Sequence, residues 1–418
     1  MKITLCVICK NEEKKILRCI QSTKTAVDEI IVVDTGSTDR TVELAKSAGA
    51  TVFEIAWENS FSKARNYAIN KVDKGWIIFI DADEYFTNKS IPLIRGCIEE
   101  AAMNSKDCVL MDIINYDDNG LTATQKYIKA FRKDEKIYYV YDIHEALKGD
   151  DGSLRLWDAS DKLKLLHDGY KVQDIKEKEK RNEKMLLAEL KKNPNNVDAK
   201  FYLMQNYLSQ NDSHKVIQYG EEILKAKLTG IWGGKELTYT YMIQACMVAM
   251  VPYEKITKCY EDAIAYNTTY PDFDYYYGLY LYKCKNYSEC ILKLKRCLEK
   301  VEAYNDRIAS YATGHIEDVL VFQAYCYYEL KQYQDAVQVM VKVLHINPER
   351  VNILYYLLVI IQEKEMPQAI GGFLERLYDL NNTLHQIILL KVSKKCGNEG
   401  LFQYFYERAC DEAKKQVN

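Results

Sequence analysis

The chain has 418 residues, 48% hydrophobic and 28% charged, with 18 Gly and 6 Pro, which excludes a disordered, collagenous or low-complexity protein and suits two or three domains with cores of their own. Its 57 basic and 60 acidic residues leave a formal charge of −3, so no general field draws phosphate backbones and nucleic acid is not expected as a partner. No apolar stretch approaches the roughly 20 residues of a membrane span, and the run Ile3 to Cys9 is too short for a signal segment, so a cytoplasmic protein without a membrane partner is expected.

In chain order, β-branched and aromatic runs predict strands at Ile3–Cys9, Glu29–Asp34, Thr51–Ile55 and Trp76–Asp81. Between them Glu12–Lys24, Asp39–Ala48 and Ser60–Val72 carry apolar residues at three- and four-residue spacing and predict helices. This alternation is the pattern of an α/β domain with a mostly parallel, Rossmann-like sheet. From Cys108 onwards the runs Cys108–Tyr116, Lys136–Val140 and Leu163–His167 are separated by the polar turns Tyr116-Asp-Asp-Asn-Gly120 and Gly149-Asp-Asp-Gly152, which predicts a mixed or antiparallel extension of the same sheet. Thirteen Cys are scattered along the chain, and the Cys6-x-x-Cys9 pair lies in a strand whose alternation sends the two thiols to opposite faces, which argues for packing rather than a redox or metal motif.

After residue 170 the composition becomes helical. Residues 171–194 are expected to form a charged helical linker, and 195–418 a helical repeat domain. Helix openings at Ser213, Pro252, Tyr287, Tyr333 and Met366 recur at spacings of 39, 35, 46 and 33 residues, each after a tyrosine-rich helix. They resemble irregular tetratricopeptide repeats, best seen in Gln323–Arg350, where Ala324, Leu330, Tyr333, Ala336, Leu344 and Pro348 supply the small, apolar and terminating positions. A helix pair of this kind cannot bury its own apolar face, so neighbours must stack into a solenoid with a concave surface. The 34 Tyr are read mainly as inter-helix packing, with an aromatic peptide groove as the alternative.

Polar clusters close three of the predicted parallel strands, the edge at which open α/β sheets bind ligands: Lys10-Asn11-Glu12-Glu13, Asp34-Thr35-Gly36-Ser37-Thr38-Asp39, and Asp81-Ala82-Asp83-Glu84. Gly36 permits a tight turn, Ser37 or Asp39 is placed to cap the following helix, and Asp34 is placed to accept hydrogen bonds from a base or ribose. Asp81 and Asp83, two carboxylates at i and i+2 after an apolar run, repel each other unless a cation sits between them; a hard divalent ion completed by phosphate oxygens meets that need.

The motifs Cys6-Val-Ile-Cys-Lys-Asn-Glu12, Val33-Asp-Thr-Gly-Ser-Thr-Asp-Arg-Thr41, Trp57-Glu-Asn-Ser-Phe-Ser-Lys-Ala-Arg-Asn66 and Phe79-Ile-Asp-Ala-Asp-Glu84 resemble, in order, those of family-2 inverting glycosyltransferases with the GT-A fold. Ile143-His-Glu145 and His167-Asp-Gly-Tyr170, followed by the repeats, are similar to bacteriocin peptide glycosyltransferases of the sublancin S-glycosyltransferase type. The resemblance implies a UDP-sugar donor and a Mg²⁺ or Mn²⁺ cofactor. It implies that Glu12 and Asp34 hold the uridine, with Asn11, Gly36, Ser37 and Ala82 in the same loops; that Arg65 reaches the sugar or diphosphate; and that Asp81 and Asp83 hold ribose and metal. A histidine after the sheet commonly completes the metal shell in that family, and His167 is the candidate.

The reaction so implied is a direct displacement that inverts the sugar. An acceptor hydroxyl needs a positioned base, and a thiol needs less help. Glu145 is the first candidate for that base, His144 the second and Glu84 the third. The solenoid then suits a peptide acceptor, modified on Cys or Ser/Thr, or a homodimer. Two rival readings stand beside this one: a transferase of lipopolysaccharide core or polysaccharide synthesis, and a non-catalytic repeat scaffold with a degenerate nucleotide-sugar domain.

Overall fold

The computed structural model describes the chain except residues 118–119, 134–135, 151, 168–171, 227–232, 306–307, 309 and 418. The tips of the two expected polar turns, and Asp168, Gly169 and Tyr170 of the motif that begins at His167, therefore lie outside the described residues. The chain divides into two compact units, Met1–Asn196 and Val197–Asn418.

The first unit is built on a mixed sheet. Strands β1 (Ile3–Cys9), β2 (Glu29–Asp34), β3 (Thr51–Glu54) and β4 (Trp76–Phe79) lie parallel in the order β3-β2-β1-β4. Beyond β4 the sheet continues through β7 (Gly120–Arg132), β6 (Cys108–Asp117), β11 (Lys164–His167) and β5 (Glu84–Phe86), with β10 (Leu156–Asp158) beside β6. The pairs β4–β7, β6–β7 and β11–β5 are antiparallel, and β6–β11 is parallel. The expected mixed extension is thus present in β6 and β11, with β5, β7 and β10 in addition, whereas the run Lys136–Val140, expected in the same sheet, lies in a separate two-stranded one.

Both faces of the sheet are covered, which is why all seven residues of β1 are buried. Ile3, Leu5, Val7 and Cys9 pack on one face with Ile16, Cys19 and Ile20 of α1 (Ile16–Gln21), Ala45 of α2 (Thr41–Ser47) and Ile94, Cys97 and Ile98 of α4 (Ile94–Met103). Cys6 and Ile8 pack on the other with Ala64, Ala68 and Ile69 of α3 (Phe61–Lys71). The two-residue period of the strand separates Cys6 from Cys9, as its alternation requires. A two-stranded sheet, β8 (Ile137–Val140) with β9 (Ala146–Gly149), adds Ile137 to the α3 side. The helix expected as a linker, α5 (Val172–Lys192), falls within the first unit, with Met185 and Leu186 buried.

The second unit consists of helix pairs. Helices α7 (Ser213–Lys225), α9 (Tyr253–Tyr266), α11 (Tyr287–Ala303), α14 (Tyr333–Ile346) and α16 (Pro367–Leu374) begin at or one residue after the five expected openings. The repeat is written in the backbone too. Asn211, Met250, Lys285 and Lys331 all have φ between 51 and 60°, and they recur at the same 39-, 35- and 46-residue spacings. Each follows the first helix of its pair, and behind all four the next residue's N–H reaches the carbonyl five residues back, from Asp212 to Tyr207 (2.8 Å), Val251 to Cys246 (3.2 Å), Asn286 to Leu281 (2.9 Å) and Gln332 to Tyr327 (2.9 Å), which is the Schellman closure of a helix. Tyrosines fill the helix contacts, among them Tyr260 stacked on Tyr277 at 4.1 Å. Among the described residues no helix is long and apolar enough to cross a membrane.

Candidate active site

The strand order reverses between β1 and β4, so their carboxyl ends leave a crevice there. A cavity of about 430 Å³ occupies it, and its walls include Glu12, Arg65, Asp81, Ala82, Asp83, His144, Glu145 and His167. These come from five separate segments, brought together by the ends of β1, β4 and β11, by the first turns of α3 and by the β8–β9 connector.

Arg65 is the hub. Ser60 caps α3 by accepting the Lys63 N–H at 3.2 Å, which sets the helix start and points Arg65 inward one turn later. Its Nε donates to Glu145 Oε1 at 2.6 Å and its Nη2 to Asp81 Oδ1 at 2.8 Å, while its guanidinium lies 4.9 Å from the Phe79 ring centroid and 5.2 Å from that of Tyr139. Burial alone would lower its pKa, but the two carboxylates outweigh burial and keep it firmly charged. Burial pulls the Asp81 carboxyl up, yet the Arg65 charge prevails and holds it below the usual range.

Asp83 faces elsewhere. Its Oδ2 lies 3.4 Å from His167 Nε2 and 3.9 Å from Lys15 Nζ. Pairing β11 with both β5 and β6 sets His167 opposite Glu84 and beside Asn115, whose Oδ1 is 2.8 Å from His167 Nδ1. With Asn115 Oδ1 accepting, Nδ1 is a donor, and Nε2 is the nitrogen that faces Asp83. Burial would lower the His167 pKa; the hydrogen bond and charge of Asp83 reverse this and raise it.

Among the described residues no group of three or more Cys, His, Asp or Glu side chains is arranged to hold a metal. Asp81, expected to share an ion with Asp83, is instead engaged by Arg65. One carboxylate and one imidazole remain, a donor pair that fits an ion completed by substrate phosphate oxygens and water rather than a closed protein cage.

Several expected ligands take supporting positions. Asp34 is 2% exposed and does not line the cavity. Its Oδ2 accepts the N–H groups of Gly36 (2.9 Å) and Ser37 (2.8 Å), and its Oδ1 accepts the Ser37 hydroxyl and the Cys9 thiol. The acceptor capacity of the carboxylate is therefore spent on the turn, contrary to the expected bond to base or ribose. Gly36 enables that turn at φ 100°, with nothing within 4 Å of where a Cβ would stand, so its requirement is conformational. Asn11 and Ser37 join the first two loops: Ser37 Oγ accepts the Asn11 N–H at 2.8 Å, and Asn11 Oδ1 accepts the Thr38 N–H at 2.8 Å. Asp39, rather than Ser37, serves the next helix, accepting the Thr41 N–H at 3.0 Å.

Glu84 is likewise displaced from its expected place as a third base. It is 4% exposed, accepts from Lys129 Nζ at 2.6 and 2.8 Å and from the Asp81 N–H at 3.0 Å, and is absent from the cavity wall. Burial raises its pKa above the ordinary value. Lys129, on β7, had no distinguishing signal in a strand not marked from sequence.

His144 sits in the β8–β9 connector at φ 52°, lines the cavity, and has its pKa lowered by desolvation. The remaining wall is aromatic and basic: Trp57 and Phe61 meet edge to face at 4.9 Å, and Lys178, Arg181 and Asn182 of α5 complete it. In sequence these three are inconspicuous within a helix crowded with charge, and their i, i+3, i+4 spacing is the available signal.

Residues 4–156 match the family model described as Glycosyl transferase family 2. A segment covering 52% of this chain is 31% identical to the SPbeta prophage-derived glycosyltransferase SunS of Bacillus subtilis, over 52% of that protein. Another, covering 24% of this chain, is 46% identical to the TPR repeat-containing protein Synpcc7942_0270 of Synechococcus elongatus, over 25% of it. The chain thus spans about half or less of the length of these relatives. The crystal structure of S. aureus TarS 1-349 aligns with 66% of this chain and 81% of its own at 17% identity and a TM-score of 0.33.

Proposed function

We propose that this chain, whose first unit carries a family-2 glycosyltransferase domain, transfers a hexose from a UDP-sugar to a peptide side chain with inversion, assisted by Mg²⁺ or Mn²⁺. The observation that carries the reading is the convergence, on one cavity at the reversal of strand order, of the Asp83–His167 pair and the Asp81–Arg65–Glu145 chain.

In this reading Asp83 and His167 hold the divalent ion, which when bound supplies positive charge to the donor diphosphate. Glu12 lines the nucleoside side of the cavity, and Asp34, Ser37 and Asn11 keep the two loops around it in register. Arg65 fixes the Asp81 carboxylate, whose own backbone N–H is tied to Glu84, so the loop carrying Asp83 is anchored from both sides before substrate arrives. Glu145 and His144 face the same space and are the groups placed to take the acceptor proton. Desolvation disfavours the charged form of His144, which leaves its imidazole neutral and able to accept a proton.

The acceptor class rests on two supports: the similarity to SunS and the helical repeats of the second unit, an architecture that offers extended surface to a polypeptide. The test is incubation with a panel of UDP-sugars and Cys- or Ser-containing peptides, read by UDP release and intact mass. A peptide gaining one hexose with the wild type and none with Asp83→Ala supports the reading. Absence of UDP release from every donor, with and without peptide, contradicts it.

A further inference from the structure

We propose that Lys178 and Arg181, on one face of α5, form the cradle for the donor's β-phosphate and stabilise the charge that builds there as the sugar leaves. The inference rests on the transferase reading above and goes beyond it by moving the leaving-group site from the sheet to α5.

Charge makes the first argument. Four carboxylates line the cavity, Glu12, Asp81, Asp83 and Glu145, against Lys10 and Arg65 from the strand-end and α3 side. Arg65 was expected to reach the sugar or diphosphate, yet its Nε and Nη2 are spent on Glu145 and Asp81 within 2.8 Å. Even with Lys15 3.9 Å from both Glu12 and Asp83, the side chains of that half carry excess negative charge before the divalent ion is counted. The two α5 cations balance the wall, and the charge of Lys178 already reaches Asp83.

Geometry makes the second. Lys178 and Arg181 are three residues apart on a helix, so they project from neighbouring turns on one face. Arg181 is held in place twice: its guanidinium lies 5.1 Å from the Phe61 ring centroid, and its Nε and Nη2 are 3.4 and 3.2 Å from Asn182 Oδ1. A planar donor group braced on a ring and an amide suits phosphate oxygens.

In the transfer, the bond from the anomeric carbon to the β-phosphate oxygen breaks and its electron pair stays on that oxygen. The acceptor atom bonds to the anomeric carbon, and its proton passes to the base. Lys178 and Arg181 act on the oxygen that gains charge.

Calorimetric titration with UDP and with UMP, each in Mn²⁺, tests the assignment on the full chain. In Lys178→Gln/Arg181→Gln, UDP is expected to bind about tenfold or more weakly while UMP changes by less than about twofold, and Arg181→Lys alone to fall between. Equal loss for UMP and UDP, or no loss for UDP, overturns the cradle while leaving the transferase reading intact. A wild type that binds neither nucleotide overturns both.

Discussion

Arg65 and Glu145 stand 80 residues apart in sequence and meet at 2.6 Å, joining α3 to the β8–β9 connector across the candidate site. Because Arg65 also holds Asp81, one buried cation ties together two carboxylates that would otherwise repel each other or hydrate. Removing it leaves both unpaired. Arg65→Ala is therefore expected to cost about 3 kcal/mol or more of stability and to abolish donor turnover. Glu145→Gln, which keeps an acceptor for the Arg65 N–H, is expected to cost about 1 kcal/mol. Urea denaturation of both variants, alongside UDP release, checks the ordering; equal destabilisation would contradict it.

The Glu84–Lys129 pair makes a sharper case, since each side chain is at most 10% exposed. Lys129→Met strands a buried carboxylate and is expected to lose about 3 kcal/mol, whereas Lys129→Met with Glu84→Leu is expected to recover most of it, because a buried ion pair gains little over apolar packing. A double variant no more stable than the single would show the pair to be net stabilising.

In the repeats, Met250 occupies the left-handed turn position at φ 51° and is 78% exposed, so its side chain adds almost no packing. Met250→Gly is expected to stabilise the chain by about 0.5–1 kcal/mol, the relief of a strained non-glycine residue less the extra freedom glycine brings to the unfolded state. Chemical denaturation reads this directly, and a loss of stability would show that the turn carries no strain.

Asp158 gives a pH-dependent outcome. Hydrogen bonds from Lys126 and Ser160 hold its pKa down at about 2, below the ordinary value of about 3.9. A depressed carboxylate contributes stability above its unfolded pKa and loses it as pH falls through the folded one. The stability gap between wild type and Asp158→Asn is therefore expected to be constant from neutrality to about pH 4 and to close towards pH 2. A gap that does not vary across that window would remove the charge-based explanation.

The strands that frame the crevice were legible because Ile3–Cys9 and Trp76–Phe79 are nearly unbroken apolar runs, as burial on both faces demands. β7, Gly-Leu-Thr-Ala-Thr-Gln-Lys-Tyr-Ile-Lys-Ala-Phe-Arg, was not, since polar residues interrupt its apolar ones and no turn marks its end. The same distinction runs through the site. Residue type and spacing identified Asp81, Asp83, Arg65 and His167 as neighbours of one cavity, but type says nothing about where lone pairs are spent: Asp34 and Glu84 carry the expected carboxylates and use them on a turn and on Lys129. Lys178 and Arg181 were hidden for the opposite reason. In Ile-Lys-Glu-Lys-Glu-Lys-Arg-Asn, each is one charge among many, and only the packing of α5 within the first unit selects them.

In the proposed reaction, nucleotide and divalent ion occupy the crevice between the ends of β1 and β4. A crystal structure of the wild type with UDP and Mn²⁺ tests it most directly. The ion is expected against Asp83 and His167, with the β-phosphate towards Lys178 and Arg181. Nucleotide bound elsewhere, with no ion against Asp83 and His167, would contradict it.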